Sequence, residues 1–399
     1  MNFSSPCRVF AIGCLLWWLT ACQQTPAVSP LDTDAFTQLV EQHPVPDTNY
    51  AVETEQQIFG LPADEIDALR KKLSPIKDYQ QRSKALLLFI FKHNEQGLQY
   101  VNGQTLTAAQ TLQQGQANCL SLTILAYSLA NSLGFPSEFR DVAIPEYWIT
   151  RNGESFLNGH VNLQVQAVYP MEMMSAAYRE GTHYLIDFER GLGVGRLPYD
   201  IIQKADIIAL FYNNKAAETL EHGDANRAFA YLRAAARVQP RLPDTWNNMA
   251  IWYKRQGNLA KAEMAYQQSL RLDPQNSNTI SNLAILYRDT KRTAQAVLLE
   301  KRVAKLRETN PYYFLMLGNE ASDHAQWDTA KLFYQRSLNL NDRIAETHFA
   351  MAKVLLQQGQ YQRAAMYLNH ARRLTSPGKE RDVYQHKLDV LQTVANLAK

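Results

Sequence analysis

In the first half of the chain, apolar residues recur first with helical spacing and then at every second position. Helical spacing occurs in ADEIDALRKKL (63–73), SKALLLFIFKHNE (83–95) and CLSLTILAYSLANSL (119–133). The period then shortens to two in EFRDVAI (138–144), HVNLQVQAVY (160–169) and THYLIDFE (182–189), which predicts strands. Helices followed by strands predict an α+β domain over residues 35–205, with its helices packed on an antiparallel sheet.

The second half repeats with a step of 34 residues. Three rows of positions keep this step: Trp246, Ile280, Phe314 and His348; Ala250, Ala284, Gly318 and Ala352; Ala262, Ala296, Ala330 and Ala364. Small side chains at two fixed positions allow the two antiparallel helices of each unit to approach closely. The pattern resembles the tetratricopeptide repeat. The resemblance implies an all-α superhelix of five repeats over residues 209–378, with a capping helix over residues 379–399.

After a short polar start that ends in Arg8, the chain has an apolar run, VFAIGCLLWWLTA (9–21), that is too short to cross a bilayer as a helix. It ends in Leu-Thr-Ala-Cys at residues 19–22, which resembles the lipobox of bacterial lipoproteins. The resemblance implies a signal peptide over residues 1–21, a lipid on Cys22 and a lipidated tether over residues 22–34. An ordinary signal peptide or an anchor helix is the alternative.

This resemblance also implies a location. The protein would be attached to a membrane of the bacterial cell envelope through its lipid. Since Gln23 rather than aspartate follows Cys22, the usual sorting rule favours the outer membrane, with the protein facing the periplasm.

Charge and motif content exclude two classes of partner. The net charge is +3 and no strongly basic patch is present, so no nucleic-acid partner is expected. Histidines, cysteines and acids do not occur at ligand spacing, so no metal site and no cofactor are expected.

The four cysteines leave one free thiol in the mature protein. Cys7 and Cys14 are removed with the signal peptide and Cys22 carries the lipid. Cys119 therefore has no disulfide partner within the chain. It is either a reactive thiol or a small residue that packs in the core.

Cys119 opens an apolar helix that Asn118 can cap, so its thiol would lie at the positive end of the helix dipole. A nucleophilic thiol also needs a histidine that a third group orients. Strand alternation places His160 on the face opposite Val161 and allows Asp187 to lie on the same side of the sheet. His183 competes for the role of His160, and Asp187 has Arg190 or Arg196 as alternative partners.

The order of these three residues resembles the transglutaminase-like superfamily, a circularly permuted relative of papain-like folds. The resemblance covers about residues 80–200 and includes TLTAAQTLQQGQANCLSLTILAYSLANSLGF and HYLIDFE. It implies Cys119 as nucleophile, His160 as general base and acid, and Asp187 as the orienting partner. The chain departs from the family where Asn118 precedes the cysteine and where no aromatic residue flanks His160.

The repeats suggest a role in binding proteins. By resemblance, the groove-facing positions that would contact a peptide or a partner protein include Asn247, Lys254, Arg288, Asn319 and Lys353. The leading hypothesis is an envelope lipoprotein whose Cys-His-Asp site performs acyl transfer or hydrolysis on peptide or protein amides, as a cysteine protease, amidase or transglutaminase. The alternative is a non-enzymatic repeat scaffold whose transglutaminase-like domain is structural or degenerate.

Overall fold

The computed structural model describes residues 33–42, 50–92, 98–100, 104–151, 154–166, 183–187 and 198–375, together with Gln385 and Leu388. Residues 31–399 form one compact unit. The predicted signal peptide, the lipidated Cys22, most of the tether and nearly all of the capping helix lie outside the described residues, so those features stay predictions.

In the part of the chain that the structure describes, six α-helices precede the main sheet. Two of them start at capping boxes, in which Thr54 and Thr107 each pair with a glutamine three residues later. The predicted helix at 63–73 is confirmed. The bounds are α1 Thr33–Phe36, continued by a π-helix at Thr37–Glu41, then α2 Glu55–Phe59, α3 Ala63–Leu73, α4 Tyr79–Lys92, α5 Ala108–Gln114 and α6 Cys119–Ser132.

The described residues include a short parallel pair of strands and a four-stranded antiparallel sheet. The pair joins β1 (Gln99–Tyr100) and β2 (Gln116–Ala117), which lies directly before α6. The sheet has the order β5-β4-β3-β6, which agrees with the predicted antiparallel arrangement. Its strands are β3 Ser137–Arg151, β4 Glu154–Gln166, β5 His183–Ile186 and β6 Tyr199–Ile202.

Strands β3 and β4 form a hairpin that is longer than the sequence predicts. Pairing continues past residue 144 to Arg151, which lies opposite Glu154. The register shifts once, between Val142 and Tyr147. Alternation is weak in this stretch and Pro145 interrupts it, which is why periodicity alone predicted a shorter strand.

Over residues 204–375, ten helices follow in five pairs. Within the described residues, no helix is long and apolar enough to span a bilayer. The bounds are α7 Lys204–Glu221, α8 Ala225–Val238, α9 Pro243–Arg255, α10 Leu259–Leu272, α11 Ser277–Asp289, α12 Thr293–Arg307, α13 Pro311–Asp323, α14 Trp327–Leu340, α15 Ala345–Gln357 and α16 Tyr361–Leu374.

The apolar core is shared between the sheet region and the first helix pairs. One cluster of buried residues extends from Ala35 through the sheet to Ala296, and a second begins at Tyr312. The break coincides with a change at one repeat position. Tyr266 and Tyr334 are buried there, whereas Glu300 is partly exposed and bonds to Arg288. A carboxylate cannot join an apolar core without a large desolvation cost, so the first cluster ends in α12, near Glu300.

The amino-terminal segment packs on helices that lie far away in the sequence. The ring of Phe36 meets Trp246 edge-on at 6.0 Å, and the Tyr253 hydroxyl donates to the Leu39 carbonyl at 2.7 Å. The hairpin also reaches the repeats, since β4 contacts α11 and β3 contacts α13. The sheet region and the repeats are therefore packed against each other.

The turn inside each helix pair has a residue with left-handed backbone conformation at the same repeat position. Positive φ angles occur at Gly223, Gly257 and Gly359, and also at Lys291 (59°) and Ala325 (57°), all on the 34-residue step. A side chain in this region costs about 1–2 kcal/mol. Two of the five turns therefore carry backbone strain that glycine relieves in the others.

We expect Ala325→Gly to stabilise the protein by about 1 kcal/mol, because it removes that strain. The matched change Gly257→Ala should destabilise it by a similar amount, since φ there is 75° and the added Cβ meets no neighbouring atom. Urea-induced unfolding of both variants measures the two effects. Changes of the same sign would contradict this account.

Candidate active site

The amino end of α6 holds Cys119 in a fixed position. Asn118 is the N-cap, and its Oδ1 accepts from the Ser121 backbone N–H at 2.9 Å and from the Ser121 hydroxyl at 2.8 Å. Cys119 is the first helical residue and is half-buried. Its backbone N–H and thiol lie at the positive end of a 14-residue helix, where an anion is stabilised.

A second layer of hydrogen bonds supports this cap. Asn118 Nδ2 donates to the Thr105 hydroxyl at 3.0 Å, and the Leu106 backbone N–H donates to the Ser121 hydroxyl at 2.8 Å. The Thr105 backbone N–H in turn donates to Glu218 in α7 at 2.6 Å. Burial raises the pKa of Glu218, against the opposing effect of this hydrogen bond. The first repeat helix thus contributes to the support of the cysteine.

His160 and Asp187 meet on neighbouring strands. Leu163 lies opposite Ile186, and continuing this antiparallel register places Asp187 opposite Asn162, two residues from His160 on the same face. His160 Nε2 lies 3.0 Å from both Asp187 carboxylate oxygens. The two side chains are 4% and 10% exposed, so the contact is screened from water.

Asn162 is a further member of the site that the sequence analysis did not single out. Its Nδ2 donates to Asp187 Oδ2 at 2.8 Å, and the residue is 1% exposed. Asp187 therefore receives donors from two residues of β4, which fixes the carboxylate plane. The alternation that placed His160 on this face places Asn162 there too, so the pattern contained the signal.

The Cys119 thiol lies against the start of β4. Its Sγ is 3.9 Å from the Gly159 carbonyl oxygen, directly before His160. Since Nε2 of His160 faces Asp187, Nδ1 is the ring nitrogen left for the thiol. Burial lowers the pKa of His160, but its interactions with Asp187 and Cys119 outweigh burial and raise that pKa to about 10. The residues can form an ion pair of thiolate and imidazolium that a carboxylate orients.

The competing assignments have different outcomes. His160, the first candidate, contacts Asp187. His183 lies opposite Gln166, further along the sheet. The alternative partners of Asp187, Arg190 and Arg196, lie outside the described residues. The structure thus brings the three predicted site residues together, and their catalytic role stays a prediction.

The predicted peptide-binding residues lie in different surroundings. Asn247 is fully buried and joins a line of asparagine hydrogen bonds to Asn248 at 3.1 Å and Asn282 at 3.0 Å. A peptide that reaches Asn247 must first displace the side chains that cover it. The other four residues take part in ion pairs, accept a hydrogen bond or are exposed: Lys254 with Asp289, Arg288 with Glu300, Asn319 with Tyr334, and the exposed Lys353.

In the part of the chain that the structure describes, no three histidine, cysteine or acidic side chains lie close enough together to hold a metal ion.

One family model matches the chain. The tetratricopeptide repeat family matches residues 241–309, which span helices α9 to α12. Together with the helix pairs on a 34-residue step, this match supports an all-helical superhelix of tetratricopeptide-like repeats within residues 204–375. No curated protein sequence matches the chain.

Several solved structures are similar to part of the chain. The pilF structure from Pseudomonas aeruginosa is 19% identical, covers 49% of this chain and 88% of its own, and has a TM-score of 0.30. MamA from Desulfovibrio magneticus RS-1 is 18% identical over 42% of this chain and 94% of its own, with a TM-score of 0.25. The APC/C subcomplex Cut9–Hcn1 is 19% identical over 45% of this chain and 37% of its own, with a TM-score of 0.27.

The raised pKa of His160 predicts a pH-dependent contribution to stability. An unfolded histidine titrates near pH 6.5, so the folded protein gains stability from protonated His160 below about pH 6.5 and loses it as the pH rises through about 10. His160→Gln should therefore lower the free energy of unfolding more at about pH 6 than at about pH 10.

Urea titrations at both pH values provide the measurement. The exposed His324, at the end of α13, supplies the control variant His324→Gln. An effect of His160→Gln that is equal at the two pH values would show that the imidazole is not held in its charged form.

Proposed function

We propose that the protein is a thiol-dependent acyltransferase or hydrolase of peptide or protein amides, built on a transglutaminase-like domain over residues 35–205. The observation that supports this most is the set of interactions of His160. It lies 3.0 Å from Asp187, and Asp187 and the Cys119 thiol together raise its pKa. A nucleophile, a base and a residue that orients the base are the three parts that such chemistry needs.

The proposed reaction has two halves. In the proposed resting state His160 already holds the proton of the thiol, and Cys119 Sγ attacks the carbonyl carbon of the amide as the thiolate to give a tetrahedral oxyanion. The C–N bond then breaks, His160 returns the proton to the leaving amine, and a thioester remains on Cys119. Water or a second amine attacks that thioester and releases the thiol.

The position of Cys119 at the helix start has a further role in this scheme. The first backbone N–H groups of a helix have no acceptor within it, and the Cys119 N–H is one of them. This group is a suitable donor to the oxyanion of the tetrahedral intermediate. The same helix end stabilises the thiolate before attack.

The repeats would bind the protein that carries the reacting amide, or a partner that localises it. They lie next to the site, since β4 contacts α11 and α7 supports the Thr105–Asn118 contact. In the later repeats, Asn319 and Lys353 remain exposed to solvent. The competing proposal, a scaffold without activity, uses the same repeats and differs only in an inert Cys119.

Thiol labelling separates these proposals. In the chain from Gln23 onward, Cys119 is the single cysteine. We expect iodoacetamide at about pH 6 to alkylate it at least about tenfold faster than in the urea-unfolded chain, because only a thiolate reacts.

His160→Ala should remove most of that advantage, and Asp187→Ala should remove part of it. The control His324→Ala should leave the rate unchanged. Slow alkylation that His160→Ala does not alter would favour the scaffold proposal over the enzyme.

We also propose that Cys22 carries lipid and holds the protein in the bacterial envelope, at the outer membrane and facing the periplasm. The proposal rests on the apolar run over residues 9–21 and the Leu-Thr-Ala-Cys sequence that ends it. Two or more acyl chains bind a bilayer stably, because each buried methylene contributes about 0.8 kcal/mol.

Cys22→Ala tests this assignment. We expect the full-length variant to lose incorporation of radiolabelled palmitate and to retain its uncleaved leader, whereas Cys14→Ala behaves as the wild type. Palmitate incorporation that survives Cys22→Ala would overturn the proposal.

A further inference from the structure

Three exposed apolar side chains occupy one position of three successive repeats. Leu298, Leu332 and Met366 lie 34 residues apart on α12, α14 and α16, and they are 68%, 67% and 63% exposed. They are the three most exposed large hydrophobic residues of the described chain. We name them the apolar row. The second helices of neighbouring repeats pack about 10 Å apart, so the row is a regular feature of one surface.

Cations lie beside the apolar row. On α12, Lys301, Arg302 and Lys305 follow Leu298 by three, four and seven residues, so they share its helix face. The same offsets place Arg336 on α14 and Arg373 on α16. We name these five residues the basic flank, and all five are exposed.

The helices of these three repeats form two layers that differ in charge: one holds the second helix of each repeat and the other holds the first. In α12, α14 and α16, lysine and arginine outnumber the acids nine to two. In α11, α13 and α15 the acids are in excess, four to two. Positive charge therefore concentrates on the layer that carries the apolar row.

The acidic residues of α12, α14 and α16 do not neutralise the basic flank. Glu300 bonds to Arg288 at 2.5 Å and Asp328 to Lys331 at 3.0 Å, so both are already engaged. The exposed Glu308 lies beyond the end of α12. Among the described residues, Lys301, Lys305 and Arg373 have no ion-pair partner.

We propose that this surface docks on an anionic lipid bilayer, with the apolar row inserted among the acyl chains and the basic flank at the headgroup phosphates. Basic side chains next to exposed apolar ones are the combination that interfacial membrane binding uses. A bilayer accepts single projecting side chains without a matching shape. A protein partner would need a complementary surface of at least about 1,000 Å² in total.

Charge argues against a second copy of the chain as the occupant. Two copies that met through this surface would bring two basic flanks together, and like charges in contact oppose association. The inference is independent of the thiol site. It is also independent of Cys22, although a lipid there would keep this surface within reach of a membrane.

Vesicle flotation tests the proposal with the chain from Gln23 onward, which retains the compact unit of residues 31–399 and lacks the apolar leader. We expect binding to phosphatidylcholine vesicles with about 30 mol% phosphatidylglycerol, and little binding to phosphatidylcholine alone. Binding to the anionic vesicles should weaken as salt rises from about 0.05 M to about 0.5 M.

Two triple variants separate the contribution of the apolar row to vesicle binding from that of the basic flank. Leu298→Ser/Leu332→Ser/Met366→Ser and Lys301→Glu/Lys305→Glu/Arg373→Glu should each reduce the partition coefficient by at least about tenfold. The matched controls change exposed residues elsewhere: Leu88→Ser/Ile201→Ser/Leu259→Ser and Lys71→Glu/Lys72→Glu/Lys77→Glu. These should stay within about twofold of the wild type.

Three outcomes would overturn the proposal. One is wild-type binding that does not depend on phosphatidylglycerol, and another is an equal loss in the matched controls. The third is a chain that binds a poly-glutamate resin but no vesicle, which would assign the surface to an acidic protein partner.

Discussion

The shared core between the sheet region and the first three repeats is the constraint on which the other features depend. Apolar residues from Ala35 to Ala296 pack as one cluster, so neither part has a complete core without the other. Because α7 is held against the sheet region in this way, Glu218 reaches Thr105, and Thr105 reaches the Asn118 cap. The geometry at Cys119 therefore depends on residues of the first repeat, about one hundred positions further along the chain.

The site itself balances burial against hydrogen bonding. A charged imidazole that is 4% exposed is costly unless partners compensate it, and here Asp187 and the thiol do so. Asn162 then holds the carboxylate through one amide hydrogen at 2.8 Å. Three elements fix the members: Cys119 is fixed by a helix start, His160 and Asn162 by β4, and Asp187 by the end of β5. Strand register sets the separations of His160, Asn162 and Asp187.

The sequence predicted those features whose signal is local. The 34-residue step predicts the helix pairs, Asn118 before an apolar run predicts the helix start, and strand alternation allows His160 and Asp187 to lie on one face if their strands are neighbours. Alternation also held the signal for Asn162. Other features depend on contacts that no local pattern encodes. The hydrogen bond between Thr105 and Glu218 spans 113 residues. Asn247 is buried because residues from outside its own repeat pack against it.

The packing of the amino-terminal segment on α9 and α10 has a consequence for the order of folding. The Tyr253 hydroxyl and the Leu39 carbonyl are 214 residues apart, and Lys261 reaches the Gln38 carbonyl across 223. Contacts across such distances form late, because the loop between them must close first. A ribosome that has released residues 33–42 must add more than two hundred residues before their partners exist. The first part of the body to be synthesised is thus among the last to reach its final position.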